Sequence, residues 1–576
     1  CVEEIARIRG ERIDLSRIPF DDEPTFRAIR AADTVGVFQI ESRAQMQSLR
    51  RTRPVNLEDL TIQVAIVRPG PIQGGAINPY IERRRRLRED PEYEIPYEHP
   101  TLEPVLRETL GTIIFQDQVM QVAEAFAGFS PGEADGLRRA MSRKRSHELL
   151  QHQRERFITG ALLHVSTTGL PLDRATAERV WEKVEGFAGF GFPKAHSAAF
   201  GLLAYQSTWL RVHYGAEFLC ALLNEQPMGF YAPDSLVHEA ESRDITVHRL
   251  DVNASQVQCT VEHGGVRLGL GYIKGIVAAE AQALVGERTR GGPFKSLAEL
   301  AGRAGVRRET LEQLAWSGAC DSLTSGPLGD QERRMALWQL GIAARAHAVD
   351  EGSRAGIDGS VQLALPLGLP QAPRLRKLGR WQKLIADYST SGVTIGDHAM
   401  AILRPRLTVP KLVTSAQLVE MQSGSQVAVA GLVIARQRPG TANGTMFLLF
   451  EDELGTINLI VAKAVYERHR HLARAEPLLL AKGVLECSHP DGHTPEGAGR
   501  QGVVNVIVRE LAALERFLPG GVDGEAQAAS ARVRRLPAHQ RTQSPADEEQ
   551  AQGAEVGSGM RAVAPPVQSF AMGRRR

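Results

Sequence analysis

The sequence lacks the short signatures that place a chain in a familiar metal, membrane or mononucleotide class. Its five cysteines, Cys1, Cys220, Cys259, Cys320 and Cys487, are scattered without a CxxC pair or a metal-ligand spacing, which fits a reducing compartment and makes a cytoplasmic location the expectation. Long apolar runs are missing: no stretch approaches the roughly 20 residues of a membrane span, and no signal peptide is visible. Phosphate-loop signatures are missing too, since GxxxxGK[ST] occurs nowhere and no GxGxxG follows a strand-like run. Charge of one sign is not in excess. The net charge is only +2 over 576 residues, so whole-chain electrostatics say little about partners.

What is present points to a multidomain chain of about three or four domains, because one core does not grow to this length. The sequence opens on Cys1, and CVEEIARIRGERIDL reads as an amphipathic helix already under way, so a fragment without its N-terminal part is expected. Basic residues are clustered rather than spread. Arg83, Arg84, Arg85, Arg86 and Arg88 follow Tyr80-Ile81-Glu82, where a solvated basic face is the first reading. A second group, LRRAMSRKR, gathers Arg138, Arg139, Arg143, Lys144 and Arg145 in one helical stretch. Like charges at that spacing repel, and a bound polyanion relieves the repulsion; a ligand and a solvated face both fit.

The run GFAGFGFPKAHSAAFGLLAYQSTWLRVHY, Gly186 to Tyr214, joins a glycine-rich loop to a helix. Gly186, Gly189 and Gly191 permit close backbone approach, and Ser197 is the expected N-cap of a helix starting near Ala198, with Phe200, Leu203, Ala204 and Leu210 on one face. The free amides and dipole of a helix start suit an anion, with Lys194 and His196 beside it. A phosphate grip and a tight loop before a packed helix both remain open.

Residues 1–235 are predominantly helical, a short β-prone segment follows, and residues 324–422, with GIDGSVQLALPLGLPQAPRLRK, read as a linker with short helices. QVAVAGLVIARQRP, GTMFLLFEDELGTINLIVA, PLLLAKGVLEC and VVNVIVREL are β-rich runs, and about five short strands predict an OB-type barrel over residues 423–515. Phe447 and Phe450 are the aromatics of its central strands, pointing either into the core or out to stack on bases. Residues 516–576, rich in Ala, Gly, Gln, Glu, Pro and Arg, are expected to be disordered. The fold class expected is thus multidomain and mainly α, followed by a small β-barrel and a disordered tail.

The order of four long motifs carries a resemblance. VGVFQIESRAQMQSLRRTRP, LEDLTIQVAIVRPGPIQGG, GTIIFQDQVMQVAEAFAGFSPGEADGLRRAMSRKR and FGFPKAHSAAFGLLAYQSTWLRVHYGAEFLCALLNEQP together resemble the fingers region of bacterial C-family DNA polymerases, the polymerase III alpha-subunit family. LLNEQPMGFYAPDSLVHEAESRDITV and ADYSTSGVTIGDHAMAILRPRL resemble its error-prone, damage-inducible branch. The resemblance covers Ile18 to Leu514.

It implies a DNA-directed DNA polymerase that adds deoxynucleotides to a primer end opposite damaged template bases. The alternatives are a replicative alpha subunit or a non-catalytic nucleic-acid-binding fragment. Carried over by motif, Arg138 and Arg139 would contact the incoming triphosphate, Lys144, Lys194, His196 and Ser197 would line the same pocket, and Arg68 in VRPGP would position the nascent base pair. LGLGYIKGIVAAEAQALV and VRRETLEQLAWSGACDSL, within residues 236–323, resemble the family's helix-hairpin-helix module, with Lys274, Arg307 and Arg308 as charged helpers; a purely structural hairpin fits as well.

The resemblance also implies Mg2+, held by closely spaced carboxylates of a palm domain. No DxD lies on a strand here: Asp21-Asp22-Glu23 precedes a helix, and Glu451-Asp452-Glu453 is expected at a strand end and turn of the barrel, not at a metal site. The palm is therefore expected to precede this chain, which alone would be inactive. Implied partners are primer-template DNA, deoxynucleoside triphosphates, accessory mutagenesis proteins and a sliding clamp. No QLxLF-like clamp peptide occurs, and the stretch from Val361 reads as linker.

Overall fold

A computed structural model describes residues 1–68, 71, 75–142, 147–166, 170–187, 192–229, 231–324, 332–348, 375, 378–439, 442–488, 503–518, 564 and 568–570. The chain forms two compact units, dividing at Tyr214. One is Arg12–Tyr214; the other joins Cys1–Glu11, which holds α1 (Val2–Arg9), to the residues from Gly215 onward.

The first unit is helical, and its helices start where the sequence supplies caps. Asp22 accepts the Thr25 N–H to open α2 (Glu23–Ala31), Ser42 opens α3 (Arg43–Thr52), and Asn56 opens α4 (Leu57–Ile66). Leu60 to Ile66 are all buried, so α4 is a central helix covered on every side. α5 (Ile77–Glu89) packs beside it through Tyr80 and Ile81. A second cluster joins α6 (Gln116–Ala127), α7 (Pro131–Ser142), α8 (His147–Ser166) and α9 (Arg174–Glu185) around Phe126, Phe157 and Trp181. Each such side chain, fully buried, contributes about 1.5–3 kcal/mol. The long helix α10 (Lys194–His213) lies so close on α4 that a Cβ on Gly201 would meet the Thr61 backbone nitrogen at 3.3 Å.

In the second unit, α11 (Gly215–Asn224) is tied to α1 by a two-bond ion pair of Arg9 with Glu217, at 2.6 and 3.1 Å. α12 (Pro233–Glu241) follows, then a small sheet of β1 (Val247–His248), β2 (Thr260–Glu262) and β3 (Gly265–Arg267) in the order β1-β3-β2. A helical hairpin comes next, with α13 (Ala278–Gly291) and α14 (Arg308–Trp316) as its long members.

The barrel is built from β5 (Gln426–Gln437), β6 (Met446–Asp452), β7 (Gly455–Val461), β8 (Leu478–Ser488) and β9 (Val503–Ala513), after a short β4 (Leu412–Val413). The order β5-β6-β7-β9-β8 closes by β8 returning to β5, with β7 and β9 parallel and the other neighbours antiparallel. This is the five-stranded closed barrel expected of an OB-type domain. Gly431 lies where the pairing of β5 with β8 meets the start of its pairing with β6; a Cβ there would lie 2.9 Å from the Glu451 carbonyl oxygen.

Two features depart from the sequence reading. Part of the expected linker is core: α15 (Arg380–Thr390) and α16 (Ala399–Leu403) lay Trp381, Leu384, Tyr388, Met400 and Leu403 over the outer face of β5. Both faces of β5 are consequently buried, with Val427, Val429 and Val433 turned into the barrel and Ala430, Leu432 and Ile434 toward those helices. Most of the tail expected to be disordered lies outside the described residues, but Gln568–Phe570 forms a strand, β10, paired in parallel with Ala435–Gln437.

Candidate nucleotide and nucleic-acid interface

The start of α10 gathers several of the expected ligands. The helix begins at Lys194 with Pro193 as its cap, one turn earlier than expected. Ser197 is not the cap: its N–H already donates to the Pro193 carbonyl, and its hydroxyl, fully buried, donates to the Thr61 carbonyl. Ser197 thus fastens α10 to α4 and is removed from any pocket. The Lys194 N–H donates to the Asp117 carboxylate at 2.7 Å and its ammonium pairs with Glu108, so two carboxylates stand where the helix start favours an anion.

An aromatic stripe runs from there. The exposed His196 ring sits edge-on to Phe192 at 5.0 Å and to Phe200 at 4.2 Å, and Phe200 stacks on Phe38 at 5.2 Å. The Arg68 guanidinium lies over the Phe192 ring at 4.6 Å, and burial lowers its pKa. Sequence reading named Arg68, Lys194 and His196 and missed the platform. The four-residue spacing of His196 and Phe200 is the signal that marks one helix face, and Phe192, just before the cap, extends the row of rings. Phe38, from a distant segment and 43% exposed, carries no local signal.

Arg138 and Arg139 project from α7, and both pair with Asp135 at 2.7 Å. The Arg138 hydrogen bond, ahead of the other charges, holds the Asp135 carboxyl below its usual range. Lys144 lies outside the described residues, as do Gly189 and Gly191. The run Arg83–Arg88 is a solvated face only in part, since Arg86 is half exposed while Arg84 is largely buried. Arg84 pairs with Asp59 and the Thr52 carbonyl, Arg83 donates to the Leu110 carbonyl, and Arg85 and Arg86 share Glu82, whose carboxyl their hydrogen bonds hold down to about 2.

The three charged helpers of the hairpin region each have a partner within the chain, and all three remain exposed. Lys274 donates through its N–H to the Thr390 carbonyl and through its ammonium to the Tyr388 carbonyl, each at 2.7 Å. It caps the last turn of α15, and burial lowers its pKa. Arg307 grips Glu280 with two guanidinium bonds of 2.9 Å, and with the Thr310 hydroxyl this holds the Glu280 carboxyl down to about 2, the Arg307 bond being the largest cause. Arg308 pairs with Glu312 one turn along α14 and is half exposed.

On the barrel, alternation separates the two phenylalanines. Phe450 is fully buried with Val429, Leu448 and Leu459 and is a core residue, not a stacking surface. Phe447 points outward, opposite Gln437 of β5 and Ile460 of β7, and is partly exposed. Beside this end of the barrel, Arg438 lies over the Tyr466 ring at 4.2 Å.

The acidic groups Asp21–Glu23 and Glu451–Glu453 do not fit magnesium. Asp22 is spent on capping α2 and on His213. Asp452 accepts from the Ser415 N–H and hydroxyl, and Glu453 pairs with Arg404. Glu451 is buried between His238, whose Nδ1 lies 2.6 Å away, and the Ser235 hydroxyl at 3.1 Å. His398 completes a group with donor atoms within 4.8 Å of one another. Its Nδ1 accepts the Met400 N–H, which leaves the proton on Nε2, so that nitrogen offers no lone pair to a cation. Burial opposes the charge of His238, yet Asp234 and Glu451 outweigh it and push its pKa up to about 10; burial pushes His398 down to about 4. The group is a closed ion pair with a neutral neighbour.

Comparison with known proteins gives a consistent picture. Residues 1–164 match the model of the bacterial DNA polymerase III alpha subunit finger domain, and residues 244–330 match a helix-hairpin-helix motif. The chain is 42% identical over 487 residues to an error-prone DNA polymerase of Alkalilimnicola ehrlichii, covering 84% of this chain and 44% of that relative. It is 43% identical over 494 residues to that of Burkholderia pseudomallei, covering 84% and 44%, and 38% identical over 520 residues to that of Corynebacterium glutamicum, covering 90% and 45%. The chain spans less than half the length of these curated relatives. Among the described residues, no helix is long and apolar enough to cross a membrane.

Proposed function

We propose, for a chain that belongs to the bacterial DNA polymerase III alpha-subunit family and matches its error-prone members, that it supplies the nucleotide- and DNA-positioning parts of a translesion polymerase. The observation that carries the reading is the start of α10, where His196 and Arg68 meet the Phe192 ring and Lys194 holds an exposed pair with Glu108, in the unit whose residues up to 164 match the finger-domain model. Arg138 and Arg139 then neutralise the triphosphate, with Lys144 on the same segment, while Phe38 and Phe200 offer a flat surface to a base. The fingers, hairpin and barrel regions, 1–235, 236–323 and 423–515, divide the labour between nucleotide and DNA. Arg308 of the hairpin and Phe447 of the barrel are the groups offered to DNA.

Mg2+ belongs to carboxylates outside this set, since the acids described above are engaged elsewhere. The whole protein acts in the cytoplasm on primer-template DNA and deoxynucleotides, with accessory mutagenesis proteins and a sliding clamp as partners.

Primer extension on undamaged and abasic templates tests this, using a polypeptide extended upstream to the relatives' full length. Arg138→Ala or Arg139→Ala is expected to raise the KM for deoxynucleotide about ten- to a hundredfold, the value of a charge-assisted bond, while this chain alone extends nothing. Extension by this chain alone, or an unchanged KM in both variants, overturns the reading.

A further inference from the structure

The barrel leaves one stretch of main chain uncovered by its own strands. β8 pairs with β5 only from Gln426 to Leu432, and the Val433 N–H makes the last bond toward that side, to the Pro477 carbonyl at 2.8 Å. β6 stays paired with β5 on the opposite side as far as Gln437. Ala435, Arg436 and Gln437 therefore present an open edge, and open edges recruit further strands. The edge is held rigid: Arg436 is buried, and its guanidinium donates to the Ala473 carbonyl at 3.0 Å and the Glu476 carbonyl at 2.6 Å.

Onto this edge comes β10, with Gln568, Ser569 and Phe570 in parallel register with Ala435, Arg436 and Gln437. Ala564, just before it, packs on the cluster of Trp381, Leu514 and Leu518. The match is only three residues long, shorter than an ordinary strand, and reaches the barrel from about fifty positions beyond Leu518. A contact of this kind is sustained by tethering more than by its own strength.

We propose that the Ala435–Gln437 edge is a peptide-docking site working by strand addition, which this chain's own Gln568–Phe570 segment occupies in cis as a displaceable strap. The ligand class is an extended peptide that pairs through its main chain. Gln437 is paired with Phe570 on one side and Phe447 on the other, so an occupant lies one strand away from the outward aromatic of β6. The inference rests on the barrel geometry and stands whether or not Phe447 binds DNA.

The test uses a fluorescent peptide of residues 562–573 and the full chain carrying Ser569→Pro with Phe570→Pro. Alternate residues of a parallel strand bond to the neighbour, so adjacent prolines remove the pairing in either phase. The peptide is expected to bind the double-proline chain saturably, at least about tenfold more tightly than the parent, whose tethered strap competes at roughly millimolar effective concentration. A peptide bearing the same two prolines binds neither. Equal binding to both chains, or binding to neither, overturns the proposal. So does a parent chain that sediments as a dimer and becomes monomeric in the double-proline form, since the strap then serves a second copy.

Discussion

Replacing Phe447 and Phe450 separately by alanine distinguishes a stacking surface from a core residue on the same strand. Phe450 is fully buried among Val429, Leu448, Ile457 and Leu479, so truncation leaves a cavity that costs about 3–5 kcal/mol. Against a typical domain stability of about 5–15 kcal/mol, that removes much of the barrel's margin. Phe447 stands outward and partly exposed, so its loss costs about 1 kcal/mol of stability. If bases stack on it, single-stranded DNA affinity falls by about 1–3 kcal/mol, roughly five- to a hundredfold. Fluorescence anisotropy with a labelled oligothymidine at one fixed salt concentration, beside thermal melts of each variant, measures both quantities. A Phe447→Ala protein that melts like the parent and binds the oligonucleotide within twofold of it would refute the reasoning and move the nucleic-acid face elsewhere.

Lys274→Met should lower the melting temperature, because the Tyr388 carbonyl in the last turn of α15 loses its ammonium partner, while leaving the salt dependence of DNA binding unchanged; a slope reduced by about one would show that Lys274 meets a phosphate after all. Glu280→Gln should destabilise the hairpin by about 1 kcal/mol at neutral pH, after discounting the Arg307 pair for solvent. Since the folded carboxyl sits at about 2, below its ordinary 4.5, the stabilisation is present above pH 4.5 and lost as pH falls through about 2. Denaturant melts of parent and variant should converge in that window, and a constant difference across it would contradict the assignment.

The barrel strands were legible because each is a short apolar run bounded by turn residues, a local signal, whereas their order, with β7 and β9 parallel, is set by pairing between distant segments. The helical character of the first unit was legible, but its caps, Asp22, Ser42 and Asn56, are identified by the structure. Ser197 misled because a serine preceding an apolar run looks like a cap, whereas its hydroxyl is claimed by Thr61, 136 positions away in the chain. Lys274 misled for the same reason: nothing near it in sequence announces that Tyr388 and Thr390 will receive it. Short helices were expected within residues 324–422, but nothing local announced that α15 and α16 would be buried, and only their packing on β5 shows them to be core.

Partner exposure, more than charge, decides which cations remain available to a polyanion. Arg84 and Asp59 are both largely buried, with side chains 16% and 12% exposed, so separating them strands a charge away from water. Lys194 and Glu108 are 50% and 44% exposed, and Arg139 is 72% exposed against Asp135 at 34%. Exposed pairs of that kind hold by about 0–1 kcal/mol each. A triphosphate offers charge-assisted bonds worth about 1.5–3 kcal/mol, so it can take Lys194 and Arg139 from their carboxylates and leave Arg84 where it is. Within the five-arginine run on α5, Arg84 is thus the cation least able to hold a nucleotide, whereas Arg86, 52% exposed against Glu82 at 44%, is held no more firmly than Lys194. Exposure of the pair, and not the density of charge, marks Lys194 and Arg139 as cations able to exchange their acid for a phosphate.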